Sequence, residues 1–85
     1  MRDLLKHYLR GIAILFRHRK NLTQEQLAAM LHISVRSYSD LECGKYCFSA
    51  VTLIIFLALL PDEEILHIIC GFQPLVAESE KKEVA

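Results

Sequence analysis

The sequence lacks the short motifs on which small enzymes usually depend. It contains no glycine-rich phosphate-binding loop, no Ser/His/Asp grouping and no carboxylate pair with an evident partner. Its 85 residues allow one domain with a modest core. We therefore expect a single domain without enzymatic activity, and no cofactor is predicted.

A membrane-spanning segment and a secretory signal are also missing. The near-continuous apolar run at residues 51–60 is too short to cross a membrane, which takes about 20 residues. Cys43, Cys47 and Cys70 are odd in number and follow no signal peptide, which predicts reduced thiols in the cytosol. Their spacing, with His67, does not match the closely paired ligands of zinc motifs, so we interpret them as buried or idle thiols and predict no metal.

Net charge is absent too, since 10 basic residues balance 10 acidic ones, and this balance does not announce a nucleic-acid binder. The distribution of charge is more informative. Up to Leu22 the chain carries six cations against Asp3 alone, whereas the region beyond Tyr46 is mostly acidic. The hydrophobic share of 53% and the mean hydropathy of +0.28 indicate that some apolar surface needs a partner chain.

Residues 22–44 have the pattern of two short helices joined by a turn. Thr23 and Gln26 have the spacing of a capping box, which predicts that a helix begins at Thr23. Ser34 offers a second N-cap after a turn at His32, and Gly44 a C-cap, so the next helix should run from about Val35 to Glu42. Two helices joined in this way form a helix-turn-helix, whose second helix fits the DNA major groove.

The spacing of particular residues in and after this segment resembles the XRE-like regulators of the Cro and phage-repressor type. The resemblance covers roughly Gly11 to Cys70 without gaps. It depends on the linked motifs Leu22-Thr23-Gln24-x-x-Leu27-Ala28, Ile33-Ser34, Leu41-Glu42-x-Gly44-Lys45, Ser49-x-x-x-Leu53 and Leu57-Ala58-x-Leu60. It implies an all-α, five-helix lambda-repressor-like DNA-binding domain with an N-terminal helical extension.

The resemblance also implies an organisation of the chain. Residues 1–10 form the helical extension and residues 11–71 the helix-turn-helix domain, with helix two at about 23–31 and the recognition helix at about 34–42. Helix five is expected to end at Gly71, and residues 72–85 form a charged C-terminal tail, either a frayed helix or a mobile segment. In helix four we expect a core face made of Leu53, Ile54, Leu57 and Leu60.

The function implied by the resemblance is a sequence-specific DNA-binding transcriptional regulator, a repressor, acting on double-stranded DNA. The side chains expected to face the bases are Ser34, Val35, Arg36, Ser37 and Asp40. Those expected near phosphates are Arg17, Arg19, Thr23, Gln24 and Lys45. Arg36 is the strongest candidate, because an arginine can bind guanine O6 and N7 together.

Two points about these residues stay open. The basic end of helix one is equally consistent with solvated capping of the helix. The family commonly pairs an arginine at Arg17 with the glutamate at Glu42, and we place this structural role first. A homodimer is expected through Ile14, Leu15, Ile55 and Phe56, unless residues 1–10 and the tail fold back over them. The alternative function is a protein-interaction or antitoxin-like module with the same fold and a weak or lost DNA face.

Overall fold

The computed structural model describes the backbone of residues 2–84 and the side chains of residues 2–78. Over this range the regular structure consists of α-helices. Their bounds are α1 Arg2–Arg19, α2 Gln24–Met30, α3 Val35–Glu42, α4 Ala50–Ala58 and α5 Asp62–Val84. The predicted all-α, five-helix architecture is confirmed.

Helix α1 is continuous from Arg2 through Gly11, so the predicted N-terminal extension and the first helix of the domain are one element. A Cβ added at Gly11 would meet no heavy atom within 4 Å. The glycine therefore lies on an open side of the helix. Leu9, Ala13 and Phe16 recur at helical spacing and are buried, which orients α1 against the core.

The caps predicted for α2 and α3 are present. The Thr23 hydroxyl accepts from the Gln26 amide at 3.0 Å, and the Gln26 side chain accepts from the Thr23 amide at 2.8 Å, which completes the capping box. The Ser34 hydroxyl accepts from the Ser37 amide at 3.1 Å. His32 holds the turn with a φ of 60°, in the left-handed region. Gly44, with a φ of 79°, follows the C-cap of α3 as predicted.

The core lies where α1, the helix-turn-helix and α4 meet. Leu27, Leu31, Tyr38 and Phe56 are its largest fully buried side chains. Phe56 contacts Phe16 edge to face, with ring centroids 5.4 Å apart, an arrangement that aromatic pairs favour. The core therefore fixes the back of α3 through Tyr38.

The face of α4 that enters the core differs from the prediction. Phe56 is 0% exposed and Thr52 8%, whereas Ile54, predicted to lie in the core, is 65% exposed. Phe56 was expected at a dimer interface, and this prediction is wrong because its ring packs between Phe16 and Phe48 inside a single chain. The helix is apolar nearly all round, so the spacing of its apolar residues did not define one buried face.

Helix α5 continues past Gly71, where the sequence predicted its end, and reaches Val84. Tyr8 of α1 packs against this continuation. Its hydroxyl donates to the Ile68 carbonyl, and its ring centroid lies 5.1 Å from that of Phe72. A Cβ at Gly71 would lie 2.8 Å from the Tyr8 hydroxyl, so the glycine permits the close approach of α1 to α5.

Candidate nucleic-acid interface

The outer side of α3 presents the residues predicted to face DNA bases. Tyr38 and Leu41, 0% and 7% exposed, anchor the helix from behind. The predicted readers form an exposed row with one half-buried member. They are Ser34, Val35, Arg36 and Ser37, which are exposed, and Asp40, which is half-buried. The structure thus places all five on α3 and its N-cap, beside the turn that joins α2 to α3.

Glu42, at the end of α3, joins three helices through its carboxylate. Arg17 of α1 donates from Nε to Oε2 at 2.6 Å and from Nη2 to Oε1 at 3.1 Å. Gln24 of α2 donates from Nε2 to Oε1 at 2.9 Å. The predicted ion pair between Arg17 and Glu42 is confirmed, and it fixes α3 about its own axis relative to α1 and α2.

The ionisation of this cluster follows from its surroundings. Burial alone would raise the pKa of Glu42, but the hydrogen bonds from Arg17 and Gln24 outweigh burial and hold that pKa below its usual value. The neighbouring Tyr38 hydroxyl has its pKa raised, first by burial and then by the Glu42 carboxylate. Within the described side chains this hydroxyl has no hydrogen-bond partner. Glu42 is therefore ionised and Tyr38 protonated at neutral pH.

The five residues predicted to contact phosphates are in different situations. Arg17 is held by Glu42, and its Nη1 also donates to the Leu22 carbonyl at 3.2 Å. Arg19 forms an exposed ion pair with Glu64 at 2.9 Å. The Thr23 hydroxyl already caps α2, and the Gln24 amide donates to Glu42.

Lys45, the fifth of these residues, is exposed in the loop after α3. Its Nζ lies 5.6 Å from the centroid of the Tyr46 ring, within the range of a cation–π contact. No ion pair involves Lys45 among the described side chains. It is therefore the member of the set whose charge is most accessible to an anion.

The residues expected at a dimer interface do not form one exposed group. Leu15 is 71% exposed, Ile14 and Ile55 are half-buried, and Phe56 belongs to the core. Other large apolar side chains on α4 and α5 are also exposed. They are Val51 at 70%, Ile54 at 65%, Leu66 at 62% and Ile69 at 51%. An exposed apolar surface is present, but it differs from the predicted one.

Sequence reasoning missed the contacts that the N-terminal half of α1 makes with the end of α3. Arg10 donates from Nε to the Glu42 carbonyl, and its side chain lies over Gly44, whose added Cβ would be 3.7 Å from the Arg10 Cδ. A signal was available in the spacing. Arg2, Lys6, Arg10 and Arg17 recur at helical intervals and share one face of α1.

The fold and the exposed, anchored second helix define a helix-turn-helix protein of the DNA-binding regulator type. A family model described as "Helix-turn-helix" matches residues 15–63, more than half of the chain. The chain belongs to this family, the XRE-like helix-turn-helix regulators. Neither the search of curated proteins nor the search of solved structures found a match. Among the helices of the described region, none has the length and apolar character needed to cross a membrane.

Proposed function

We propose that this chain is a sequence-specific DNA-binding transcriptional regulator, a repressor, that inserts α3 into the major groove. One observation carries the proposal: an exposed row of polar side chains on α3 is held outward by Tyr38, Leu41 and the ion pair of Glu42 with Arg17. The eight residues of α3 span about 12 Å at roughly 1.5 Å per residue. An α-helix with its side chains is about 10–12 Å in diameter and the major groove is about 12 Å wide, so the groove admits α3.

The side chains of α3 suggest a division of roles at the bases. Arg36 is exposed and forms no ion pair with a described residue, so its guanidinium is available to bind guanine O6 and N7. The Val35 side chain, 43% exposed, suits the methyl group of a thymine. Asp40 would accept from a cytosine N4, while Ser34 and Ser37 suit either kind of base edge.

Phosphate contacts in this proposal come from both sides of the turn. Lys45 contributes a free charge after α3, and Thr23 and Gln24 lie at the start of α2. Arg19 can exchange its exposed partner Glu64 for a phosphate, because exposed ion pairs contribute only about 0–1 kcal/mol. Arg17 acts indirectly, by keeping α3 in position through Glu42.

A test begins with selection from random duplex DNA by the purified protein. Arg36→Ala should relax preference at the base pair it reads, at a discrimination of about 1–3 kcal/mol. Lys45→Ala should weaken all duplexes alike and lower the slope of log K against log salt by about 0.9. If neither substitution alters binding to the selected duplex, DNA recognition by this surface is excluded.

We also propose that the chain binds DNA as a homodimer. Support comes from the exposed apolar side chains of α1, α4 and α5, among them Leu15 and Ile54. Dimers of helix-turn-helix proteins bind half-sites about 34–36 Å apart, so a selected operator should be a palindrome with that spacing. Sedimentation at micromolar concentration tests the assembly directly, and a monomer mass would contradict it.

A second candidate function is a protein-interaction or antitoxin-like module with the same fold. The same exposed apolar surface, together with a net charge of zero, favours it. The two functions differ in their response to salt. If retention on duplex DNA is absent even at low salt while a dimer or a complex with a partner protein persists, the interaction module becomes the better description.

A further inference from the structure

We propose that the N-terminal part of α1, residues 2–10, forms a second phosphate-binding site together with the loop between α3 and α4. In this site Arg2, Lys6 and Lys45 hold the DNA backbone beside the C-terminal end of the recognition helix. The inference rests on the proposed function, because it takes for granted that α3 enters the groove. It adds a contact from residues that precede the family match at residues 15–63.

The site is an open cleft of about 480 Å³ where the two segments meet. We call it the basic cleft. It is lined by Arg2, Lys6, Lys45, Tyr46, Cys47 and Phe48. A water molecule occupies about 30 Å³ in the liquid, so the cleft has room for a phosphodiester group. The long side chains at its rim can move toward a bound anion, and the Tyr46 ring forms one wall.

Four cations on one face of α1 fall into two groups. Two of them contact the end of α3, and the other two lie beyond it. Arg17 binds the Glu42 carboxylate and Arg10 the Glu42 carbonyl, so these two fasten α1 to the end of α3. Lys6 and Arg2 continue the same face by one and two further turns, past the end of α3. They therefore reach the loop that carries Lys45, where no described acidic side chain of α3 meets them.

The charges around the cleft leave its cations available. Arg2 and Lys45 form no ion pair among the described side chains. Among the described side chains Lys6 pairs with one acidic residue, Asp3, with 3.8 Å between Nζ and Oδ1. Because Asp3 is 85% exposed and the contact is long, this pair is weak and can be replaced by a phosphate.

The position of the cleft selects the DNA backbone as its ligand. Base contacts come from the N-terminal residues of a recognition helix, so the N-terminal end of α3 is the end that faces the bases. Its C-terminal end then lies near the phosphates that border the groove. Lys45 is three residues beyond Glu42, the last residue of α3, and the basic cleft extends from that point.

The experiment compares the full chain with the double variant Arg2→Gln/Lys6→Met on the selected duplex. Methionine keeps the apolar stem of Lys6, which is only 23% exposed, and removes the charge. The slope of log K against log salt should fall by about 1.8, at about 0.9 for each lost phosphate contact. The ranking of base sequences should not change, since phosphate contacts carry no direct sequence information. Asp3→Asn, which frees Lys6, should tighten binding at low salt.

A position-resolved arm uses duplexes in which single phosphates are replaced by uncharged methylphosphonates. At the phosphates next to the C-terminal end of α3, the replacement should weaken the full chain several-fold and leave the double variant unaffected. At other phosphates both proteins should respond alike. Inorganic phosphate, titrated without DNA, separates a general anion site from a DNA-backbone site. Saturable binding of phosphate with an unchanged DNA salt slope in the double variant would overturn the inference.

The two levels of the proposal fail in different ways. If the full chain selects no duplex, the proposed function fails and the cleft has no DNA to bind. If it selects a duplex, responds to Arg36→Ala, and the double variant keeps the full salt slope, the function stands and the basic cleft is excluded. Thermal unfolding of the double variant should match that of the full chain within a few degrees, because both removed charges lie outside the core.

Discussion

Replacing Arg17 with methionine should destabilise the fold through the carboxylate that it leaves behind. The substitution removes two hydrogen bonds to Glu42 and, among the described side chains, leaves only the Gln24 amide as a donor to that carboxylate. Breaking a buried ion pair in this way costs about 3–5 kcal/mol. The side chains of Arg17 and Glu42 are 18% and 9% exposed, so some water reaches the pair. We therefore expect a loss of about 3 kcal/mol, at the lower end of that range.

Thermal unfolding followed by circular dichroism measures this loss. A change of 1 kcal/mol shifts the Tm of a domain of this size by about 4–8 °C, so Arg17→Met should lower it by about 12–24 °C. The matched control is Arg19→Met, which breaks the pair with Glu64. That pair is exposed, at 57% and 37%, and should contribute at most about 1 kcal/mol.

The pH dependence of stability gives a second and independent measurement. In the unaltered chain the pKa of Glu42 is lowered from its ordinary value of 4.5, so its contribution is full above pH 4.5 and is lost as the pH falls through the folded-state pKa. Without Arg17, burial dominates and the pKa of Glu42 should rise above its unfolded value. The folded variant then binds a proton more readily than the unfolded chain, and its stability should increase on acidification from neutral pH.

Two outcomes would refute this reasoning. One is an Arg17→Met protein within 1 kcal/mol of the unaltered chain at neutral pH; the other is an unchanged sign of its pH dependence. The double variant Arg17→Met/Glu42→Met provides the cross-check, because it removes the unpaired charge together with its partner. It should be more stable than Arg17→Met alone, as is often found when a buried pair is replaced by apolar residues.

Three further predictions concern the fold around the site. Gly11→Ala should stabilise α1 by up to about 1 kcal/mol, because alanine has the higher helix propensity and its Cβ meets no atom within 4 Å. Gly71→Ala should lose that gain, because its Cβ would lie 2.8 Å from the Tyr8 hydroxyl and displace it. Urea titration of the two variants compares their free energies of unfolding. Thr23→Ala should remove the capping box and cost about 1 kcal/mol by the same titration, and an unchanged midpoint would contradict it. Phe56→Ala should cost about 3–5 kcal/mol of stability, because the ring is buried. Ile54 is exposed in a single chain, so Ile54→Ala should leave the stability of the monomer nearly unchanged. Equal losses in the two variants would contradict the buried face assigned to α4.

The parts of the fold that the sequence predicted correctly are those determined by neighbours along the chain. A capping box requires only Thr23 and Gln26 three residues apart, and a hydroxyl at Ser34 caps whatever helix follows it. The turns at His32 and Gly44, which have positive φ angles, likewise depend on residues that are close in the sequence. The ion pair between Arg17 and Glu42 spans 25 positions and came from the family resemblance, since spacing alone cannot indicate it.

The errors arise where distant contacts decide between local alternatives. In α4 nearly every residue is apolar, so periodicity has no contrast, and the rings of Phe16 and Phe48 select Phe56 as the buried residue. At Gly71 the local preference favours a helix end, because glycine costs about 1 kcal/mol in a helix interior. Tyr8 contacts Ile68 and Phe72, and these tertiary contacts favour continuing α5 past Gly71. The residues near Gly71 in the sequence do not indicate such contacts.

The net charge of zero conceals an uneven distribution of acidic and basic side chains around α1. In this 18-residue helix Arg2 lies about 26 Å from Arg19, at a rise of roughly 1.5 Å per residue. The acidic first turn of α5 lies at the Arg19 end, where Glu64 pairs with that arginine. At physiological ionic strength, salt screens interactions between exposed charges that are more than about 8 Å apart, so this acidic turn cannot neutralise cations at the opposite end of α1. A phosphate approaching α3 from the side of Lys45 therefore meets the local positive charge of the basic cleft, and the composition of the whole chain says little about the affinity at that point.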